Sequence, residues 1–188
     1  MFTYPSQMAC LDSQFHANAI ATVQSLRRAP TPPYAPVNVS HFGGVFFALA
    51  NRTDINSLAD LAGKRLEGAD VTSLGAAQSQ WHELEAHLGY HFWNMPAQVL
   101  FSHDQYAVVA DVAAGVADVG MVRTDFIDTV ELPEPYCNAT AQAAVGLGCF
   151  PAGTFKVLNA RMYPGYPFQS STELYPEARA ALVCLLPC

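Results

Sequence analysis

Polar residues suited to holding an anion recur at one kind of place in this sequence, where an extended run gives way to a helical one. "TYPS" precedes the first helical pattern, "DVTSLG" the one around Trp81, and "SHDQ" the one that begins near Asp104. The first turn of a helix leaves several backbone N–H groups unpaired, so such a junction can receive an oxyanion as well as a capping side chain. Within residues 102–125, a lone His103 and a lone Arg123 stand at the two ends of a plain helix–strand unit, and Thr124 follows the arginine. An arginine there can grip an oxyanion through two parallel hydrogen bonds. Each junction taken singly is what an ordinary cap looks like, and Arg123 could equally form a surface ion pair with Asp125 or Asp128. Several such junctions on one α/β scaffold point further, because ligands of these sheets bind outside the carboxyl ends of the strands.

Other chemistries find less support. "WHELEAHLGYHFW" offers His82, His87 and His91, but a zinc-binding helix needs its histidines four apart, and position 86 is Ala. At a spacing of five, His87 points about 140° away from His82, and Gly89 ends the helix before His91. No metal and no cofactor is therefore expected. No G-x-S-x-G elbow, Walker loop or G-x-G-x-x-G turn is present, and Cys149 in "GLGCF" lacks an activating partner. A non-enzymatic protein is the expectation.

The elements that must position these residues read as follows. Ser6 caps a helix reaching about Phe15, "NAIATVQSLR" is a strand, and "RAPTPPYAP", with four prolines, is a loop or crossing segment. "NVSHFGGVFFALAN" is a long apolar strand. Short alternating units follow: a helix in "INSLADLAG", a strand in "KRLEGAD", and a helix in "SLGAAQSQWHELEAHLG", where Leu74, Ala77, Trp81, Leu84 and Leu88 recur at helical spacing. Next come a strand in "AQVLFS", a helix over 104–114 and a strand over 117–122. Alternation with short connections implies parallel strands covered by helices. Beyond Glu131 lie a loose Ala-rich stretch, one strand in "TFKVLN", a Pro- and Tyr-rich stretch and a final helix in "EARAALVCLL".

Half of the 188 residues are apolar, ample for a core, and the net charge of −7 offers no dense basic face, so nucleic acid is not an expected partner. No apolar run reaches the length of a membrane helix, and the opening reads as the inside of a domain, so any membrane tether is expected in flanking segments. Of five cysteines, Cys137 and Cys149 bracket the Ala-rich loop; an extracytoplasmic chain would pair them, an intracellular one would keep free thiols. Sequons at Asn38, Asn51 and Asn138 lean toward the extracytoplasmic reading.

Taken together, "DINSLADLAGKRLEGADVTSLGAAQSQWHEL" and "FSHDQYAVVADVAAGVADVGMVRTD" resemble the second lobe of the phosphonate-binding-like branch of type II periplasmic solute-binding proteins. The likeness is strongest to its sensor versions, the extracytoplasmic parts of histidine kinases such as the tetrathionate sensor. "FTYPSQMACLD" resembles the family's first-lobe segment and "GTFKVLN" to "YPFQSSTELYPE" its tail, so the likeness covers nearly the whole chain. The resemblance implies an α/β fold with two lobes around a cleft, the first lobe incomplete: 1–42 a partial first lobe and crossing segment, 43–122 the second lobe, 123–188 the return segment. It implies ligand contacts from Tyr4, Ser6 and Gln7, from Thr72, Ser73 and Gly75, and from His103, Arg123 and Thr124. Leu74 removes one hydroxyl donor usual in phosphonate transporters, which points away from phosphonate itself. The function implied is an extracytoplasmic sensor domain for a small-molecule anion within a larger receptor, with a receptor dimer as a possible assembly. A transporter-associated binding protein and a degenerate lobe kept for protein contacts are the alternatives.

Overall fold

The computed structural model describes residues 18–22, 25–28, 36–39, 41–89, 94–132, 137, 149–164 and 167–170. The chain divides into two compact units, one of residues 43–162 and one of residues 1–42 with 163–188. In the latter, β1 (Asn18–Thr22) pairs antiparallel with β11 (Pro167–Ser170), and β2 (Ser25–Arg28) with β3 (Pro36–Val39). The single strand expected over "NAIATVQSLR" is thus two strands in two sheets, and "NVSHFGGVFFALAN" is shared between β3 and β4 (His41–Leu49). Where a strand stops is decided by its partner, and apolar content carries no record of a partner far along the chain. The helices expected near each terminus lie outside the described residues.

The unit of 43–162 is built on a five-stranded sheet. Its order is β10 (Phe155–Pro164), β4, β7 (Val119–Arg123), β5 (Arg65–Gly68), β6 (Gln98–Phe101). β5 runs parallel to both β6 and β7, as the alternation implied, whereas β4 is antiparallel to β7, so the sheet is mixed. Side chains of β4 alternate between two cores, as the period of two requires. Val45 and Phe47 join Val108, Val109, Val112, Val122, Phe126 and Phe155 on one face, and Phe46 and Ala48 join Ile55, Leu61, Leu66, Leu84, Val119 and Met121 on the other.

Helices close both faces. α1 (Ser79–Leu88) ends at Gly89, which takes a left-handed φ of 66° and donates its N–H to the Glu85 carbonyl. α2 (Gln105–Ala114) starts at Asp104, whose carboxylate accepts the Ala107 N–H, and stops at Gly115, φ 73°. The helix expected in "INSLADLAG" is shorter, a 3₁₀ turn over Leu58–Leu61 in which Asp60 accepts the Asn56 and Ser57 amides. A further short helix, α3 (Phe126–Val130), and the parallel pair β8 (Glu131–Leu132) and β9 (Phe150–Pro151) were too short to register as patterns. Cys137 and Cys149 form a disulfide, a cross-link whose loop contributes about 3 kcal/mol by limiting the unfolded chain. Among the described residues no helix is long and apolar enough to cross a membrane.

The edge at which the parallel strands begin is held by charge. The Asp118 carboxylate receives the Arg65 amide at 2.9 Å, Arg65 Nε at 3.0 Å and Arg52 Nη1 at 2.9 Å. Arg65 foremost, and then Arg52, hold that carboxyl well below the ordinary range. Asp118 is only 14% exposed, so this clamp is less screened than a surface pair.

Glu67, in the middle of β5, is the opposite case. It is 2% exposed, its Oε2 has no hydrogen-bond partner, and Ser102 and Asp111 are its polar neighbours. Burial, reinforced by the negative charge of Asp111, pushes its carboxyl up from the ordinary 4.5 to about 7. The folded chain therefore keeps a proton that the unfolded chain releases between these values, and stability falls as pH rises through that window. Replacing Glu67 with Gln removes the titration. Urea unfolding of Glu67→Gln should lose the fall between about pH 4.5 and about pH 7, on the order of 3 kcal/mol in the parent; equal slopes in both proteins would show that Glu67 ionises freely in the fold.

Candidate functional site

Because β5, β6 and β7 are parallel, their carboxyl ends share one edge, and each runs into a helix. β5 leads through residues 69–73 into a wide turn (Leu74–Gln78) and α1, β6 through 102–104 into α2, and β7 through 124 and 125 into α3. The wide turn has π-type geometry, with Ala76 at non-helical φ −127°, so the helix expected to begin at Leu74 becomes regular only from Ser79. Gly68 allows this turn to descend onto the strand end: a Cβ there would lie 2.6 Å from the Ala76 carbonyl oxygen.

Asp70 organises the rim. Its Oδ1 accepts the Thr72 amide at 2.8 Å and the Thr72 hydroxyl at 2.7 Å, and its Oδ2 lies 3.0 Å from His103 Nδ1. The Thr72 hydroxyl and amide, and then His103, hold its carboxyl below the usual range. An ionised carboxylate only accepts, so Nδ1 carries the proton and His103 presents Nε2 outward on a side chain 79% exposed. Backbone bonds from Ser102 N–H to the Gly68 carbonyl and from His103 N–H to the Ala69 carbonyl fasten the second junction to the first.

The third junction is fastened through α2. Gln105 Oε1 accepts the Arg123 N–H at 2.9 Å. The Arg123 side chain is 36% exposed, with Nε 3.5 Å from Asp125 Oδ1 and the guanidinium 5.7 Å from the Phe126 ring centre. The surface pair with Asp125 is thus present, at a length that leaves Nε without a hydrogen bond. Thr124 is buried, and its hydroxyl accepts the Gly43 N–H at 2.9 Å while its own N–H bonds the Gly43 carbonyl.

Of the residues expected at the site, Thr72 and His103 meet on Asp70, Ser73 is half-buried beside them, and Gly75 is buried in the wide turn. Arg123 and Thr124 share the same sheet edge, and no hydrogen bond joins Arg123 to His103 among the described residues. Tyr4, Ser6 and Gln7 lie outside the described residues. Sequence reading missed Asp70 and Gln105, although the D-x-T spacing of Asp70 and Thr72 is a known turn signature. It also missed Gln80, a buried residue on the apolar side of α1 whose Nε2 reaches the carbonyls of Val45, Gly75 and Val122 at 3.2, 2.9 and 2.9 Å. His82 is exposed and His87 pairs with Glu83 at 3.1 Å; among the described residues no three His, Cys, Asp or Glu side chains converge on a metal site.

Backbone strain marks the same edge. His103 (φ 61°) and Asp125 (φ 69°) are the two non-glycine residues with positive φ among those described, and each follows the end of a parallel strand. Such conformations cost of order 1–3 kcal/mol and persist where surrounding structure imposes them, often at ligand sites.

Comparison with known proteins adds the following. A family model described as ABC transporter, phosphonate, periplasmic substrate-binding protein matches residues 2–186. A Xanthomonas citri protein solved with ATP bound is similar over 90% of this chain and 56% of its own, at 16% identity and a TM-score of 0.58. A binding-protein component of an ABC phosphonate transporter from Pseudomonas aeruginosa is similar over 86% of this chain and 49% of its own, at 17% identity and a TM-score of 0.50. At these identities the likeness establishes the fold, a type II periplasmic-binding-protein α/β architecture, and this chain spans about half the length of either relative. No curated protein matches the sequence.

Strain at position 103 can be separated from the loss of the imidazole. His103→Ala and His103→Gly both remove the Asp70 contact, but only glycine relaxes the positive φ. Denaturant unfolding should find the Gly variant more stable than the Ala variant by about 1 kcal/mol; a less stable Gly variant would mean that residue 103 bears no strain.

Proposed function

The chain belongs to the periplasmic substrate-binding proteins of the phosphonate ABC transporter family, and from that membership we propose that it binds a small oxyanion at the rim carrying Thr72, Ser73, His103 and Arg123. Family membership implies an extracytoplasmic location and a substrate-binding rather than catalytic role. The observation that carries the reading is the placement of both strained non-glycine residues, one of them a histidine oriented by a carboxylate, at the carboxyl edge of the parallel strands beside an arginine. In this reading Arg123 donates to the anion and His103 Nε2 donates to it when the imidazole is doubly protonated, Thr72 and Ser73 stand at the turn before α1 beside it, and Tyr4, Ser6 and Gln7 are further ligand contacts carried over from the family resemblance. Gly75 keeps the turn free of a side chain, and Thr124 serves by anchoring the strand end to Gly43.

We assign the domain to a sensor rather than to transport. The motifs that support this are the "HD" start of α2 and the "VRT" end of β7, which resemble extracytoplasmic sensor domains, together with a disulfide suited to an exported receptor. Closure around the ligand would then be the signal, provided the ligand binds the closed state more tightly than the open one. Transport-linked delivery remains the second reading because it needs the same rim.

The test is a thermal-shift screen with phosphate, methylphosphonate, sulfate, thiosulfate, tetrathionate and small carboxylates, on the chain with its native flanks. A ligand at a hundred times its Kd should stabilise by about 2.7 kcal/mol, and Arg123→Ala should abolish the shift. No shift with any anion, or an equal shift in Arg123→Ala, would refute an oxyanion site centred on Arg123.

A further inference from the structure

Three of the seven asparagines begin an N-x-[ST] triplet: Asn38, Asn51 and Asn138. The fold distinguishes them. Asn38 is an internal residue of β3, Asn138 lies outside the described residues, and Asn51 stands in the turn that follows β4. Both Asn51 and Thr53 are exposed, and no hydrogen bond engages the Asn51 carboxamide among the described residues. The residue between them is held aside: Arg52 sends Nε and Nη2 to Asp54 and Nη1 to Asp118, so its side chain does not cover Asn51.

From this geometry we infer that Asn51 is a site of N-linked glycosylation. The chemistry asks for an acceptor amide and a hydroxyl two residues on, both present here, with Arg rather than Pro between them. In the transfer, the Asn51 amide nitrogen attacks the anomeric carbon of a polyprenyl-diphosphate-linked oligosaccharide. The new C–N bond forms as the anomeric C–O bond breaks, the polyprenyl diphosphate leaves, and the amide proton passes to a base of the transferase. Because the triplet is read on an unfolded chain, the fold must supply only room for the sugar, and a turn free of side-chain bonds at Asn51 does so.

Position gives the modification a direction. β4 is antiparallel to β7, with Gly44 opposite Arg123 and Phe47 opposite Gly120, so the turn after β4 lies toward the end where the parallel strands begin. A sugar on Asn51 therefore leaves the Arg123 rim open, and it stands beside the Asp118 clamp. The disulfide between Cys137 and Cys149 fits the oxidising compartment in which such transfer occurs.

The experiment secretes the chain from a eukaryotic cell and releases N-linked sugars enzymatically in ¹⁸O-water, which leaves a heavy-oxygen Asp at each occupied Asn. Peptide mapping should find the label at Asn51 in molecules whose Cys137–Cys149 disulfide is intact. Asn51→Gln and Thr53→Ala should each lose it, and Thr53→Ser should retain it, which guards against a variant that merely misfolds. An unlabelled Asn51 in secreted, disulfide-bonded protein would overturn the assignment, as would a label confined to molecules lacking the disulfide. Anion binding plays no part in this readout, so failure of one proposal leaves the other standing.

Discussion

The centre of the larger unit rests on how its buried carbonyls find donors. β4 and β7 are covered on both faces, and where Val45 faces Val122 a single side chain, Gln80, brings its amide nitrogen to both carbonyl oxygens. The same nitrogen reaches the Gly75 carbonyl, and its oxygen accepts the Ser79 hydroxyl. An unpaired buried carbonyl costs about 1–3 kcal/mol, and one glutamine shares its two N–H donors among carbonyls of two strands and the turn before α1. The fit requires close approach: a Cβ on Gly44 would lie 2.3 Å from Gln80 Nε2 and from Ser79 Oγ. Strand pairing, the glycine of β4 and the wide turn are thus one arrangement.

From that brace the two edges of the sheet diverge. Where the parallel strands begin, Asp118 gathers two arginines and a backbone amide, and every partner contributes to holding the strands in register. Where they end, the polar groups are arranged differently: a carboxylate orients an exposed imidazole, a glutamine holds a backbone amide beside an arginine, and two residues sit at unfavourable φ. Stability is concentrated at one edge and strain at the other, the division expected when one edge serves the fold and the opposite edge serves a ligand.

Much of this was legible in the residues, and what was not has identifiable causes. The alternation of β and α from Asn51 to Arg123 followed from apolar periodicity and from the glycine stop at Gly89, which, like Gly115 after α2, takes the left-handed conformation. Of the stripe read at helical spacing, Ala77 and Leu84 are buried and Leu74, Trp81 and Leu88 partly so, because a helical stripe needs only local spacing. Ser79, Gln80 and Glu83 were invisible by the same logic, since their burial depends on partners from β4, β7 and β10. The π-type turn before Ser79 escaped notice because a helical pattern does not say where regular hydrogen bonding begins. Asp70 was passed over because the reading looked for donors to an anion, and the residue that aims His103 is itself an acceptor.

The chain crosses into the larger unit on β4 and leaves it on β10, and these two strands are neighbours in the sheet. The Ala50 amide bonds the Thr154 carbonyl, so the far end of β4 meets the near end of β10, and the two boundaries, Gly43 and Met162, fall on neighbouring strands. A segment whose two ends emerge together behaves as an insert: it can be spliced into a surface loop of another protein through two short joints, with little loop-closure entropy to oppose it. The unit is in this sense a removable cassette, and the boundary at Gly43 is tied to its fold by the hydrogen bonds with Thr124.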